Sequence, residues 1–404
     1  MYYFVMIMAR VLAFAGMLVV LAGAAPASGK VDELYALRFG AKMNLLVPYD
    51  PVRLVPSGAP IRMGRFGHAW SISPDRQRLV AAAGVRPQGE PTAVRFVDLA
   101  SRRIEGTVTL PGESGRVTAT AWIGGRVLVV VSAPSSTRVY AVDPDRRVSI
   151  SQIEFPGTVV LGERAQSSLV LLLAAPDRVG PVTIAVVDRS PRVRAVVLEK
   201  IAVGTTTAGD GADRRLTIRR PALTLGPSGQ RAFVIGAGEP PAAIDLRTLS
   251  VRYAPVRLAA AANKRVEGSV RTAETLPDGR IVVGANVYGA TAAENAAGLW
   301  LVDPRDWSRR VLSTKWTWFR VAGGLIFARG ESGVGLRIIQ PSGSTRELFR
   351  TGSVARVTVV GPRAFVTFFG TKIKAAVVEL ASGRVVRHPV PAYPLVGAGQ
   401  PITG

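Results

Sequence analysis

Short apolar runs alternate with turn residues along most of the chain, and they fall into two interleaved series. In the first, an apolar run ends in an acidic or amide residue, at Asp98, Asp143, Asp188, Asp245, Asp303, Gln340 and Glu379. The steps average about 47 residues, the period of a repeat architecture. In the second, a Pro, Gly or Asp turn precedes a dense apolar run. Ser73-Pro74-Asp75 stands before Leu79–Ala83, Gly124-Gly125 before Val127–Val131, and Pro277-Asp278-Gly279 before Ile281–Val283. Equivalent turns lie at Gly162, Gly226, Gly323 and Gly361, and the two series alternate without exception. The runs are four to six residues long and rich in β-branched side chains, and none sustains a helical period, so they read as strands.

Each period therefore holds four strands. The first alternates, as in Trp70-Ser71-Ile72-Ser73; the second is apolar on both faces, as in a strand covered from both sides; the third carries the acidic marker; the fourth is more polar. A single four-stranded sheet leaves both apolar faces wet, and radial stacking covers them. The pattern predicts an all-β, seven-bladed β-propeller of four-stranded antiparallel blades over residues 60–392. Residues 28–59 contain a further Asp50-Pro51 turn, like those at Asp143-Pro144 and Asp303-Pro304. The reading adopted is a closing N-terminal strand paired with the last blade. The alternative, an eighth blade completed from the C-terminal tail, meets the objection of prolines at 389, 391, 394 and 401.

The turns Ser73-Pro74-Asp75 and Pro277-Asp278-Gly279, with the Val97-Asp98-Leu99 strand end, resemble those of YVTN-type and WD-repeat-like seven-bladed propellers of exported bacterial proteins. No unit carries a Trp-Asp dipeptide, and Gly67-His68 is the single Gly-His. The resemblance implies architecture and carries no partner with it.

Residues 1–27 read as an export signal. Arg10 is the sole charge before Lys30, Val11–Ala25 is apolar but short for a span of about 20 residues, and small residues at 22–27 fit signal cleavage. The n-region is apolar, so an uncleaved anchor is the alternative. Residues 393–404 read as a tail. The expected location is extracytoplasmic, secreted or attached to the envelope.

Charge comes next. The chain has 51 Lys plus Arg against 28 Asp plus Glu, a net +23, and 44 of the basic residues are Arg. A GC-rich genome yields Arg in this way without selection; attraction to an anionic partner is the functional reading. There is no Cys and there are two His, His68 and His388, which excludes a disulfide framework, a thiol nucleophile and a His-rich metal site.

Strand order assigns loops to two faces. The long excursions all fall on the face between second and third strands and between blades. They offer Arg86, Glu90, Arg178, Asp210, Asp213, Arg214, Lys264, Arg265, Asn286, Tyr288 and Asn295 as small-ligand contacts. The opposite face has short turns bearing Arg102, Arg103, Arg146, Arg147, Arg192, Arg194, Arg309 and Arg310, a positive rim suited to phosphate and carboxylate groups. The recurring acids are expected to cap hairpin turns, and Trp70, Trp122, Trp316 and Trp318 to pack in the core. His68, near the innermost strand of the first blade, is the weak candidate for acid–base catalysis. No metal or cofactor is expected.

The function expected is a monomeric, non-enzymatic binding or scaffold protein of the cell envelope. Its partners would be an envelope protein or an anionic polymer, with peripheral contact to an acidic membrane and no role for nucleic acid. The alternative is a lactonase-like hydrolase or lyase working at the channel mouth.

Overall fold

The computed structural model describes residues 19–21, 34–38, 43–64, 69–83, 92–112, 115–133, 135–176, 178–208, 215–256, 268–288, 296–314, 316–330, 334–370, 372–392 and 395–397. Every regular element among them is a strand. Between Trp70 and Pro391 the antiparallel pairings group the strands four at a time into seven consecutive units, with Arg215–Arg220 outside them, although some units are joined into larger sheets. Unit 1 runs through Trp70–Ile72, Arg78–Ala82, Ala93–Asp98 and Arg103–Thr109. Units 2 and 3 begin at Arg116–Ile123 and Thr158–Arg164. Units 4 and 5 begin at Ala222–Leu225 and Gly268–Thr275, and unit 6 at Trp316–Ala322. Units 6 and 7 share one 16-residue strand, Thr345–Val360, whose first half closes unit 6 and whose second half opens unit 7. Arg215–Arg220 pairs antiparallel with the end of Val193–Ala208 and parallel with the start of unit 5, so it bridges units 3 and 5. Val19–Leu21 runs parallel beside Thr158–Arg164.

The N-terminal segment differs from the single closing strand expected. Leu34–Arg38, Asn44–Tyr49 and Ile61–Gly64 form an antiparallel sheet, and the C-terminal Leu395–Gly397 adds to its Leu34 edge. This eighth four-stranded group departs from the seven-unit reading. Its C-terminal strand fits between the prolines that argued against it, in the proline-free stretch after Pro394. What matters to a strand is the run between prolines, not their number in the tail.

Packing follows the order of the units. Leu79, Ala81 and Val97 of unit 1 share a core with Tyr35, Leu46 and Ile61 of the N-terminal sheet, while Val80 and Phe96 face unit 2. The period-two alternation thus divides each sheet between two neighbours. Similar clusters join each unit to the next, and the last joins Phe365, Ala375 and Val377 of unit 7 to Leu34, Ala36 and Val47.

The turns after Asp50, Asp143 and Asp245 are built alike. Asp143 Oδ1 accepts the N–H groups of Asp145 and Arg146, both at 2.9 Å, and Asp245 Oδ1 accepts those of Arg247 and Thr248 at 2.9 and 2.8 Å. Asp50 does the same with Val52 and Arg53 at 2.7 and 2.8 Å. Four residues after these acids and after Asp98 and Asp303, Leu54, Arg102, Arg147, Leu249 and Trp307 take a left-handed backbone with φ near 60°. The same turn at Asp50 marks the N-terminal sheet as a copy of the repeat.

Candidate functional site

Among the described residues, arginines recur in two places: on the turns after the acidic markers and on the first strands of the units.

On the short-turn face, the eight expected rim arginines divide into groups. Arg194, on the outer strand of unit 3, donates to the carbonyls of Arg247 and Leu246 in the turn of unit 4, at 2.6 and 2.9 Å. Arg310 of unit 5 donates to Ser342 at 3.0 Å and to Pro341 in the turn of unit 6. Arg346 of unit 6 repeats the contact with Ser382 and Gly383 of unit 7. Arg147 reaches back to the Glu105 carbonyl of unit 1 at 2.5 Å. The Arg102 guanidinium lies where a side chain on Gly58 would stand. These arginines are staples between neighbouring units, a role the sequence reading did not assign to them. The signal was present: an Arg stands six residues after Asp188 and Gln340 and seven after Asp303. Arg309 stacks over Trp300 with its guanidinium 5.9 Å from the ring. Arg103, Arg146 and Arg192 are exposed, with no ion pair or side-chain hydrogen bond among the described residues. Of the eight expected rim arginines, these three are thus exposed without side-chain partners among the described residues.

Of the long-loop residues, Arg178 is described and exposed, and its backbone carbonyl closes over Gly204. Asn286 and Tyr288 lie on Ile281–Tyr288, opposite Val270 and Gly268 in the register. Arg86, Glu90, Asp210, Asp213, Arg214, Lys264, Arg265 and Asn295 lie outside the described residues, as does His68. On this side Glu239 accepts the Ala202 N–H at 3.1 Å, and burial pushes its carboxyl above the ordinary value.

The first strands of the units hold charges that the sequence reading passed over. Arg116, Arg164, Arg271, Arg320 and Arg356 all sit on first strands of their units. The carboxylates on the described first strands are Glu163 and Glu274. Glu274 joins units 5 and 6: one oxygen accepts from Arg320 at 2.9 Å and the other from the Val321 N–H at 2.7 Å. Burial raises its carboxyl pKa, opposed by Arg320 and by these hydrogen bonds. Arg271 lies with its guanidinium 5.0 Å from the Trp300 ring, and desolvation lowers it to about 10. Arg356 is lowered to about 10 as well, by desolvation first and then by the charge of Arg320. Arg329 stacks on Trp318 at 4.6 Å and donates to the Val354 carbonyl across the boundary of units 6 and 7. Hydroxyl groups link further neighbours. Thr120 donates to Ser71 at 3.0 Å, Thr224 and Thr275 are 3.0 Å apart, and Thr358 donates to the Leu395 carbonyl at 3.2 Å. Trp70 and Trp122 are buried in the core, the latter edge-on to Phe96. Among the described residues no group of His, Cys, Asp and Glu could hold a metal ion.

No protein-family model matches the chain. No curated protein matches it in sequence. Solved structures do match in shape. Dihydro-heme d1 dehydrogenase NirN in complex with DHE is 13% identical, with a TM-score of 0.59, covering 92% of this chain and 76% of its own. Apo AztD from Citrobacter koseri is 15% identical, with a TM-score of 0.50, covering 91% of this chain and 99% of its own. At such identities the likeness concerns architecture, and this all-β chain is similar in fold to β-propeller proteins.

Proposed function

We propose that this chain is an exported, non-enzymatic propeller of the cell envelope that holds an anionic polymer or an acidic envelope partner on its short-turn face. We read the seven repeat units and the N-terminal sheet as one ring, in which Leu395–Gly397 supplies the innermost strand of the eighth blade. The observation that carries the reading is the division of the arginines. Arg147, Arg194, Arg310 and Arg346 lock the turns of adjacent units together, while Arg103, Arg146 and Arg192 stand exposed on the platform so formed. A rigid array of exposed guanidinium groups recognises repeating anionic groups with little ordering cost. The net charge of +23 adds long-range attraction to any such surface. Residues 1–27, as an export signal or a retained anchor, place this platform outside the cytoplasm, where wall polymers and acidic lipids are the available polyanions.

The test is binding of the purified protein to anionic wall polymer, acidic vesicles and duplex DNA across a salt series. Saturable binding to wall polymer or vesicles that weakens steeply with salt supports the reading. Equal and weak binding to all three removes it and leaves the charge as background composition.

A further inference from the structure

Exposed apolar side chains recur at one kind of place on unit 6, unit 7 and the N-terminal sheet. Val334 opens the third strand of unit 6, and Phe369 ends the second strand of unit 7. Met43 directly precedes Asn44–Tyr49, which is third in the order of the N-terminal sheet counted from Leu395–Gly397. All three therefore flank a loop between second and third strands, on the face opposite the short turns. All three are exposed, and Phe369, at 60%, is the single exposed aromatic ring among the described residues. Val334 and Phe369 both pair with Ser353, from its two sides, on the strand that joins units 6 and 7. Residues paired across a sheet point to the same side, so these two apolar groups stand about 10 Å apart, two strand spacings, on one surface.

The ring of Phe369 has no packing role that explains it. Its neighbour Phe368 fills the core position, buried edge-on to Phe349 with ring centres 5.1 Å apart. Leaving a second ring in water forgoes the free energy of its burial. Its surroundings are cationic. Lys372 and Lys374 are exposed and form no ion pair among the described residues. Lys374 pairs with Phe368 across the hairpin, so it stands at the root of the same loop. From Leu348 to Val378 the sequence has no Asp or Glu and five basic residues, Arg350, Arg356, Arg363, Lys372 and Lys374. Of these, Arg350 is answered by Glu347 at 2.7 Å.

An aromatic ring framed by lysines suits the boundary of an acidic bilayer. The ring enters the region between headgroups and acyl chains, while each lysine lays its stem along that boundary and keeps its ammonium among the phosphates. The acid-free stretch around the ring and the net charge of +23 favour an extended anionic surface over a neutral one.

We infer that the loop tip of unit 7 docks on an anionic lipid surface, with Phe369 as the inserted group, Lys372 and Lys374 as the phosphate contacts, and Val334 and Met43 at the margins. The inference rests on the envelope location proposed above and not on the short-turn face, which this docking leaves turned away from the bilayer.

The test uses the whole protein, with vesicles of phosphatidylcholine alone and of phosphatidylcholine mixed equally with phosphatidylglycerol. The chain has no Cys, so one introduced thiol carries an environment-sensitive dye at a chosen place. A Cβ at Gly370 meets nothing closer than the Lys372 carbonyl at 3.6 Å, so Gly370→Cys fits. Dye there is expected to shift its emission to the blue on acidic vesicles and not on neutral ones. Dye on a Ser190→Cys protein, on the short-turn face, keeps its aqueous emission. Co-sedimentation is expected to show binding at least tenfold weaker for Phe369→Ser. The same loss is expected for combined Lys372→Gln and Lys374→Gln, with a shallower salt dependence. Phe369→Trp retains binding. Melting temperatures and wall-polymer binding stay at the wild-type values in all of these variants. A wild-type protein that ignores acidic vesicles overturns the inference, whatever it does with wall polymer, which tests the short-turn face alone. A Phe369→Ser protein that binds like wild type overturns it, as does a blue shift at Ser190→Cys without one at Gly370→Cys. Self-association without lipid that Phe369→Ser abolishes also overturns it, and assigns the tip to a second copy of the chain.

Discussion

Glu274 offers the sharpest test of how the first strands of neighbouring units are held together. Its carboxylate is 2.9 Å from Arg320, with side-chain exposures of 7% and 16%. At that separation, with an effective dielectric constant of about 20, the pair attracts by about 6 kcal/mol before desolvation is subtracted. Removing one partner of a buried pair leaves the other charge uncompensated and costs about 3–5 kcal/mol. Here the cost falls near the upper end of that range for Glu274→Ala, because the Val321 N–H also loses its acceptor at 2.7 Å. Glu274→Gln keeps an acceptor for Val321 and falls near the lower end. A Glu274→Leu and Arg320→Met double replacement removes both charges and recovers most of the loss. Urea unfolding followed by circular dichroism, with the slope checked for constancy, measures the wild type, the Glu274→Ala, Glu274→Gln, Glu274→Leu and Arg320→Met single variants and the double variant. A Glu274→Gln protein within about 0.5 kcal/mol of wild type, with singles and double additive to the same margin, refutes the reasoning.

Other consequences concern the joints and the turns. Leu395 is fully buried between unit 7 and the N-terminal sheet, so Leu395→Ala costs about 2–4 kcal/mol by chemical denaturation. Ending the chain before Leu395 exposes the Leu34–Ala36 edge and favours self-association, which size-exclusion chromatography detects. Replacing Arg194, Arg310 and Arg346 together by Ala lowers the melting temperature, at about 1 kcal/mol for each lost staple. Turn amides hold the carboxyls of Asp50, Asp98, Asp143 and Asp245 below their ordinary value, and Arg305 holds Asp303 at about 2. Their folded pKa values lie below the unfolded ones, so this stabilisation is complete above about pH 5 and is lost as pH falls toward 2. Melting temperatures across that interval check the direction, and Asp303→Asn flattens the dependence.

The repeat was legible because packing enforces it. Strands between two neighbours must be apolar on both faces, and hairpin turns need a side-chain acceptor at a fixed place, so Asp98, Asp143 and Asp245 recur in register. The Asp50-Pro51 turn announced the N-terminal sheet in the same way, yet its partner strand was hidden. Three residues, Leu395–Gly397, carry little pattern of their own, and they pair with a strand more than 350 residues away. The rim arginines were visible as charges, but whether a guanidinium points to solvent or to a neighbour's carbonyl depends on spacing between units, which no local pattern records. Arg320 and Arg356 were legible in principle. The strand series placed them on first strands, among apolar neighbours where a charge is costly, and that alone marks them for attention.

The central claim is that Arg103, Arg146 and Arg192 present a binding surface on a scaffold stapled by their neighbours. The most direct measurement is the salt dependence of binding to anionic wall polymer for the wild-type protein and for the variant with all three replaced by Gln. The account predicts a shallower salt slope and at least tenfold weaker binding in the variant, with an unchanged melting temperature. Equal slopes and affinities in the two proteins contradict it.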